Sequence, residues 1–153
     1  MPPSITDIYN YRQVEPSLAT SGQPDESQLK AIADAGYKVI INLALHNDPR
    51  YSLSDEAASV AKLGLKYVHI PVEFSAPTDE DLNAFFVALD ESRPSKVWVH
   101  CAANKRVTAF LGLYLHQREG VSENEAFMLL RDIWEPDHVW SKFIARRLGN
   151  SDA

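Results

Sequence analysis

At 153 residues the chain is long enough for one domain with a proper core, and its 45% hydrophobic and 24% charged composition excludes disorder, low complexity and fibrous repeats. A formal charge of −6 argues against general nucleic-acid binding, which needs a basic face, and a single cysteine excludes an internal disulfide and fits a reducing compartment. The start "MPPSITDIYNYRQ" lacks the basic head and apolar centre of a signal peptide, and no apolar run is long enough to span a bilayer, so the expectation is a cytoplasmic protein without a membrane partner.

Residues 1–15 read as an irregular lead-in to a single domain covering 1–153. "PSLATSGQP" predicts a short strand ending in a turn, with Gly22 taking a positive φ. A helix over 25–35 presents Leu29, Ile32 and Ala33 on one face, and Gly36 stops it. "YKVIINLAL", 37–45, is a near-continuous β-branched run, the pattern of a strand buried on both faces. After the loop "HNDPRYSLSD", Ser52 is placed as the cap of a helix over 55–63 that Gly64 closes. "KYVHIPV", 66–72, is the next strand. Pro77 and Thr78 open the helix "DEDLNAFFVALDES", whose buried stripe is Leu82, Phe85, Phe86 and Leu89.

"KVWVH", 96–100, is a further strand, followed by a helix over about 106–118. Ser122 and Glu125 have capping-box spacing for a helix over 123–134, and 140–148 closes the chain as a helix. Alternating strands and helices predict an α/β fold: one central, mainly parallel sheet flanked by helices.

The chemistry concentrates in "VWVHCAANKRVTAF". Cys101 stands at the carboxyl end of a strand, where ligands bind in such folds, and the turn after it leads into a helix N-terminus. Free backbone N–H groups and the helix dipole there favour thiolate over thiol and favour a bound oxyanion, and Lys105 and Arg106 add positive charge. The context points to a nucleophilic cysteine rather than a small buried hydrophobe.

The segment "VHCAANKRVT" resembles the signature loop of the cysteine-dependent protein tyrosine and dual-specificity phosphatases, which reads His-Cys, five residues, Arg, then Ser or Thr. The order of elements resembles that family over nearly the whole chain, and "SGQP", "VIINLA", "YVHIPV" and "IWEPDHVW" resemble a bacterial branch of phosphatase-like domains of uncharacterised function. The resemblance implies that Cys101 attacks phosphorus and that the loop Ala102, Ala103, Asn104, Lys105, Arg106 and Val107 holds the phosphoryl oxygens. It implies a phosphorylated substrate, or inorganic phosphate or sulfate, as occupant, with no metal and no organic cofactor. The register departs at one place: Val107 stands where the arginine belongs, Arg106 comes one residue early, Thr108 holds the hydroxyl position, and Asn104 replaces the usual glycine, asparagine being the next-best residue at positive φ. The spacing Cys101, Asn104, Arg106 also resembles the rhodanese-type sulfurtransferases, whose cysteine carries a persulfide; His100 before the cysteine and "IPV" on the preceding strand favour the phosphatase resemblance.

A phosphatase requires a proton donor for the leaving oxygen. In the resembled family it lies in the loop after the strand before the cysteine segment, here "PVEFSAPTDED". Phe74 aligns with the usual aspartate, so Glu73 is the first candidate acid, Asp79 the second, and "EPD" at 135–137 a further one. His100 reads as a buried neighbour whose ring hydrogen-bonds the loop, and Thr108, as in the resembled family, would donate to the sulfur or the leaving group. Asp55 and Glu56 are either early-helix acids or residues at the pocket mouth. His46, His69, His116 and His138 have no ligand spacing, so no metal site is expected. Three readings follow: a phosphate monoester hydrolase working through a phosphocysteine, a persulfide sulfurtransferase, or a phosphate- or phosphopeptide-binding module that has lost catalysis. Nothing in the sequence fixes an oligomeric state.

Overall fold

The computed structural model describes residues 4–45, 53 and 55–149. A 3-10 turn (Ile5–Asp7) precedes β1 (Arg12–Glu15), β2 (Leu18–Ser21), α1 (Glu26–Asp34), β3 (Val39–Asn42), α2 (Glu56–Lys62), β4 (Lys66–His69), α3 (Asp79–Ser92), β5 (Val97–His100), α4 (Lys105–Glu119), α5 (Glu123–Ala126), α6 (Met128–Ile133) and α7 (His138–Arg147). The five strands form one sheet in the order β1-β2-β5-β3-β4. β1 runs antiparallel to β2, and the β2–β5, β5–β3 and β3–β4 pairs are parallel. The expected α/β architecture is therefore present, with β5 at its centre.

Side chains alternate across each strand, so the sheet divides the core into two layers. Ala19, Ile40 and Trp98 pack with Leu29 and Ile32 of α1 and Val60 of α2. Leu18, Val39, Ile41, Val97 and Val99 pack on the other side with α3, α4 and α7, and Cys101 lies in that second layer. The α3 stripe is as predicted: Leu82, Phe85, Phe86 and Leu89 are buried, each side chain contributing about 1.5–3 kcal/mol. Along β5 the alternation sends His100 to the same side as Trp98, toward α2, while Cys101 turns the other way.

Several expectations change. The lead-in is not irregular throughout, because Arg12–Glu15 forms the edge strand β1; its polar composition suits an edge and hides it from pattern reading. Gly22 has no positive φ. It is needed for space: a Cβ there would stand 2.6 Å from the Ala102 carbonyl oxygen and 2.7 Å from the Tyr9 ring. Ser52 lies outside the described residues, and the carboxylate of Asp55 caps α2. The predicted helix over 123–134 is split into α5 and α6 at Phe127, whose φ is −104 and ψ 13. The reason is a ring: Phe127 lies so close over Gly112 of α4 that a Cβ there would meet it at 2.4 Å.

Candidate active site

The turn between β5 and α4 is residues 101–104. Asn104 closes it at φ 66, ψ 3, one of two non-glycine residues at positive φ among those described. An asparagine side chain at a helix N-cap normally accepts a bond from the first turn. Here it is turned away: Asn104 Nδ2 donates to the Asn10 carbonyl at 2.9 Å and to Thr20 Oγ1 at 3.0 Å, so α4 has no side-chain cap. By contrast α1, α2, α3, α5 and α7 are capped by Asp25, Asp55, Thr78, Ser122 and Asp137. The first hydrogen bond of α4 is Thr108 N–H to the Asn104 carbonyl, 3.1 Å. The amides of Lys105, Arg106 and Val107 have no acceptor among the described residues, the usual state of a helix start without a cap.

The turn itself is held by its carbonyls. The Cys101 carbonyl faces His100 Nδ1 at 3.4 Å, the Ala102 carbonyl accepts from the Gln23 amide at 3.0 Å, and the Ala103 carbonyl accepts from Asn10 Nδ2 at 3.1 Å. These peptides are trans, and a trans peptide points its N–H opposite to its C=O. The N–H groups of Ala102 and Ala103 therefore point away from the segments that hold the carbonyls, and they too lack acceptors among the described residues, while the antiparallel bridge of Gly22 with Ala103 turns the Asn104 N–H toward the Ser21 carbonyl. Five amides, those of Ala102, Ala103, Lys105, Arg106 and Val107, are thus without acceptors among the described residues next to Cys101, which is 1% exposed. Free amides next to a left-handed residue, continued by a helix dipole, are suited to an anion.

Arg106 is 8% exposed. Its Nη1 donates to the Val72 carbonyl at 2.8 Å, and its guanidinium lies 5.9 Å from the Phe74 ring centroid. No carboxylate pairs with it among the described residues. A buried cation without an anionic partner is costly unless a ligand supplies one, and a guanidinium with one of five N–H donors committed retains several for that purpose. Lys105 is exposed, its Nζ 5.7 Å from the Trp134 ring centroid.

The expected proton donors are less well provided. Glu73 lies exposed between Val72 and Phe74, the two residues Arg106 touches. Phe74 packs against Trp134 and Trp140 at centroid distances of 5.7 and 5.8 Å, and its carbonyl accepts from Trp140 Nε1 at 2.7 Å. Asp79 is bound by Arg146 and Arg147, and the hydrogen bond from Arg146 holds its carboxyl below the ordinary range, so it is kept ionised. Of the two acids of "EPD", Glu135 and Asp137, the second caps α7. For Thr108 the expectation is a donor to the sulfur or to the leaving group. Its single proton goes instead to the Lys105 carbonyl at 2.7 Å, while its oxygen accepts from Trp134 Nε1 at 2.9 Å.

Sequence reasoning underrated Glu56. It is fully buried, as is His100. Glu56 Oε2 lies 2.6 Å from His100 Nε2, and Oε1 accepts from Gln23 Nε2 at 2.8 Å. Tyr67, bonded by Asn42 Nδ2 at 3.0 Å, is raised above its ordinary pKa chiefly by burial and next by the Glu56 charge. The signal was present in the strand alternation: His100 shares the side of Trp98, and a buried histidine there needs a polar partner from the helix packed on that side.

Comparison with known proteins agrees with this geometry. A DUF442 protein of Shewanella putrefaciens CN-32, described as a candidate phosphatase, is 32% identical and superposes with a TM-score of 0.83 over 95% of this chain and 92% of its own. Tk-PTP, at 23% identity, shares the fold with a TM-score of 0.72 over 94% of this chain and 98% of its own. A beta-lactamase hydrolase-like protein of Xylella fastidiosa is 35% identical over 98 residues, 63% of this chain but only 22% of the relative's length. Residues 4–127 match the model of the DSP-PTPase phosphatase fused to NAD+ kinase. That match covers most of the chain, the cysteine turn included, and the chain belongs to this family of cysteine-dependent, protein tyrosine phosphatase-like proteins.

Proposed function

We propose that the chain hydrolyses phosphate monoesters through a phosphocysteine on Cys101. The observation that carries this reading is the pairing of five amides between 102 and 107 with a buried Arg106, neither having a partner of the needed kind, acceptor or carboxylate, among the described residues. Such a cup lacks negative charge and fits a tetrahedral dianion. In the first step a lone pair of the Cys101 sulfur forms the S–P bond while the P–O bond to the leaving group breaks, and that oxygen takes a proton from an acid. In the second, water attacks phosphorus and gives a proton to the carboxylate left by that acid, the P–S bond breaks with its electron pair returning to sulfur, and inorganic phosphate leaves. The amides and the free N–H groups of Arg106 stabilise charge on the equatorial oxygens. Glu73 is the acid this reading assigns, because it alone of the loop's candidate carboxylates adjoins the Arg106 contacts without being tied to a basic side chain.

The test is hydrolysis of p-nitrophenyl phosphate by the full chain with Cys101→Ser as control. Turnover that disappears in the variant supports the reading; turnover that persists, or none in either protein, sinks it. One observation favours a second reading, a phosphate-binding module without catalysis: the usual acid position is Phe74, locked between two tryptophans. Saturable phosphate binding without turnover would establish that alternative. Thiosulfate-to-cyanide transfer tests the persulfide chemistry and is expected to be absent.

A further inference from the structure

The buried carboxylate behind the loop has no part in the steps above, yet it touches both chain segments on which the turn depends. We infer that Glu56 is a positioning residue, which sets the outward orientation of the Cys101 and Ala102 carbonyls and thereby the inward aim of the following amides. The inference rests on reading the loop as an anion site.

The argument follows two arms. One Glu56 oxygen accepts from His100 Nε2–H at 2.6 Å, and the ring so oriented lies against the Cys101 carbonyl, with Nδ1 3.4 Å away as a packing contact. The second Glu56 oxygen holds the Gln23 side chain at 2.8 Å, and the Gln23 backbone amide donates to the Ala102 carbonyl at 3.0 Å. A single side chain on α2 is therefore connected, through one intermediary each, to two consecutive carbonyls of the turn. Both of its neighbours' side chains are fixed by it: a ring without a partner on Nε2 is free to rotate about its χ2, and a released Gln23 amide is free to leave Pro24, its other acceptor. Burying a carboxylate is unfavourable, and its retention at 0% exposure needs donors on both oxygens. Gln23, His100 and Tyr67 supply them. The sheet makes the reach possible: His100 pairs in register with Ser21 of β2 and Asn42 of β3, so Gln23 and α2 flank it from either side.

The experiment is an NMR titration of the isotope-labelled full chain with inorganic phosphate, following the amides of residues 102–107 and the ring Nε2–H of His100. In the wild type, phosphate is expected to shift the loop amides saturably, and the His100 Nε2–H signal to lie far downfield. Glu56→Gln keeps the shape and removes the charge. It is expected to move the His100 signal upfield and to weaken phosphate binding on the order of tenfold, as for loss of a hydrogen bond to a charged group, with the Cys101-side fold retained. Unchanged phosphate affinity in a folded Glu56→Gln protein whose His100 signal has moved overturns the inference. If Glu56→Gln does not fold, Gln23→Ala removes one arm alone; weaker phosphate binding then supports the inference and unchanged binding overturns it. A wild type that shows no phosphate shifts defeats the anion-site reading separately. In that case changed amide shifts at 102–104 in ligand-free Glu56→Gln retain the positioning role, and unchanged ones remove it.

Discussion

After β5 the chain leaves five amides, those of Ala102, Ala103 and 105–107, without acceptors among the described residues and buries polar side chains around them; after β4, through residues 73–79, it places an aromatic ring beside Arg106, leaves Glu73 exposed and ties Asp79 to Arg146 and Arg147. The two loops meet at Arg106, which is anchored to Val72 and lies against Phe74. The contrast separates two requirements of phosphoryl transfer. On the proposed reading, the half that would bind and stabilise an oxyanion is assembled largely from backbone, and the arginine, one residue early, still lies buried beside it. The half that delivers a proton depends on one side chain in one place, and here that place is occupied by Phe74.

The contrast can be broken most severely at the sulfur. Cys101→Ser is expected to lower p-nitrophenyl phosphate turnover by more than about 1,000-fold, as loss of a nucleophile does, while phosphate-induced amide shifts in the loop persist. Arg106→Ala is expected to cost about 100- to 1,000-fold in kcat/KM, the scale of an oxyanion donor; steady-state kinetics that show no change would place the guanidinium outside the site. Glu73→Gln sharpens the other side. With an alkyl phosphate, whose leaving oxygen needs a proton, the loss is expected to be about 100-fold, and with an aryl phosphate far smaller. Equal, negligible effects on both substrates would assign the acid elsewhere.

Two smaller effects test the scaffold behind the loops. Gly112→Ala forces the Phe127 ring to move and is expected to lower unfolding stability by about 1–3 kcal/mol in urea. The least effect belongs to Asp79. Its folded pKa lies below the unfolded value near 3.9, so its contribution is present above that pH and lost as the pH falls through the folded pKa. Asp79→Asn should therefore remove a small part of the acid-induced fall in Tm and leave Tm near neutrality slightly lower. The effect is limited because the side chain is 44% exposed and screened.

The parts of this arrangement that were legible in the sequence are those written in local pattern. The apolar run before Cys101, the asparagine suited to positive φ and the stripe of α3 each follow from periodicity or backbone preference. What escaped is long-range. β1 has four residues and one apolar side chain, so only its pairing with β2 defines it. The break at Phe127 is dictated by Gly112 on another helix, and a capping pattern cannot register a ring from outside. Glu56 looked like an ordinary first-turn acid because the reading weighed helix electrostatics without asking where the side of β5 that carries His100 would find a donor or acceptor. The resemblance to phosphatases located the cysteine and the loop, and the displaced arginine required coordinates to show that it stays buried beside them.

One further consequence attaches to Gly22. With the Ala102 oxygen and the Tyr9 ring both inside 2.8 Å of where its β-carbon would be, this residue lets the end of β2, far upstream in the chain, lie flush against the turn. The cysteine segment is therefore not a portable cassette. Grafted into a foreign sheet whose neighbouring strand bears any side chain at that point, residues 101–107 would be pushed open, and the grafted peptide would keep its sequence while losing the contour that gives the thiol its surroundings.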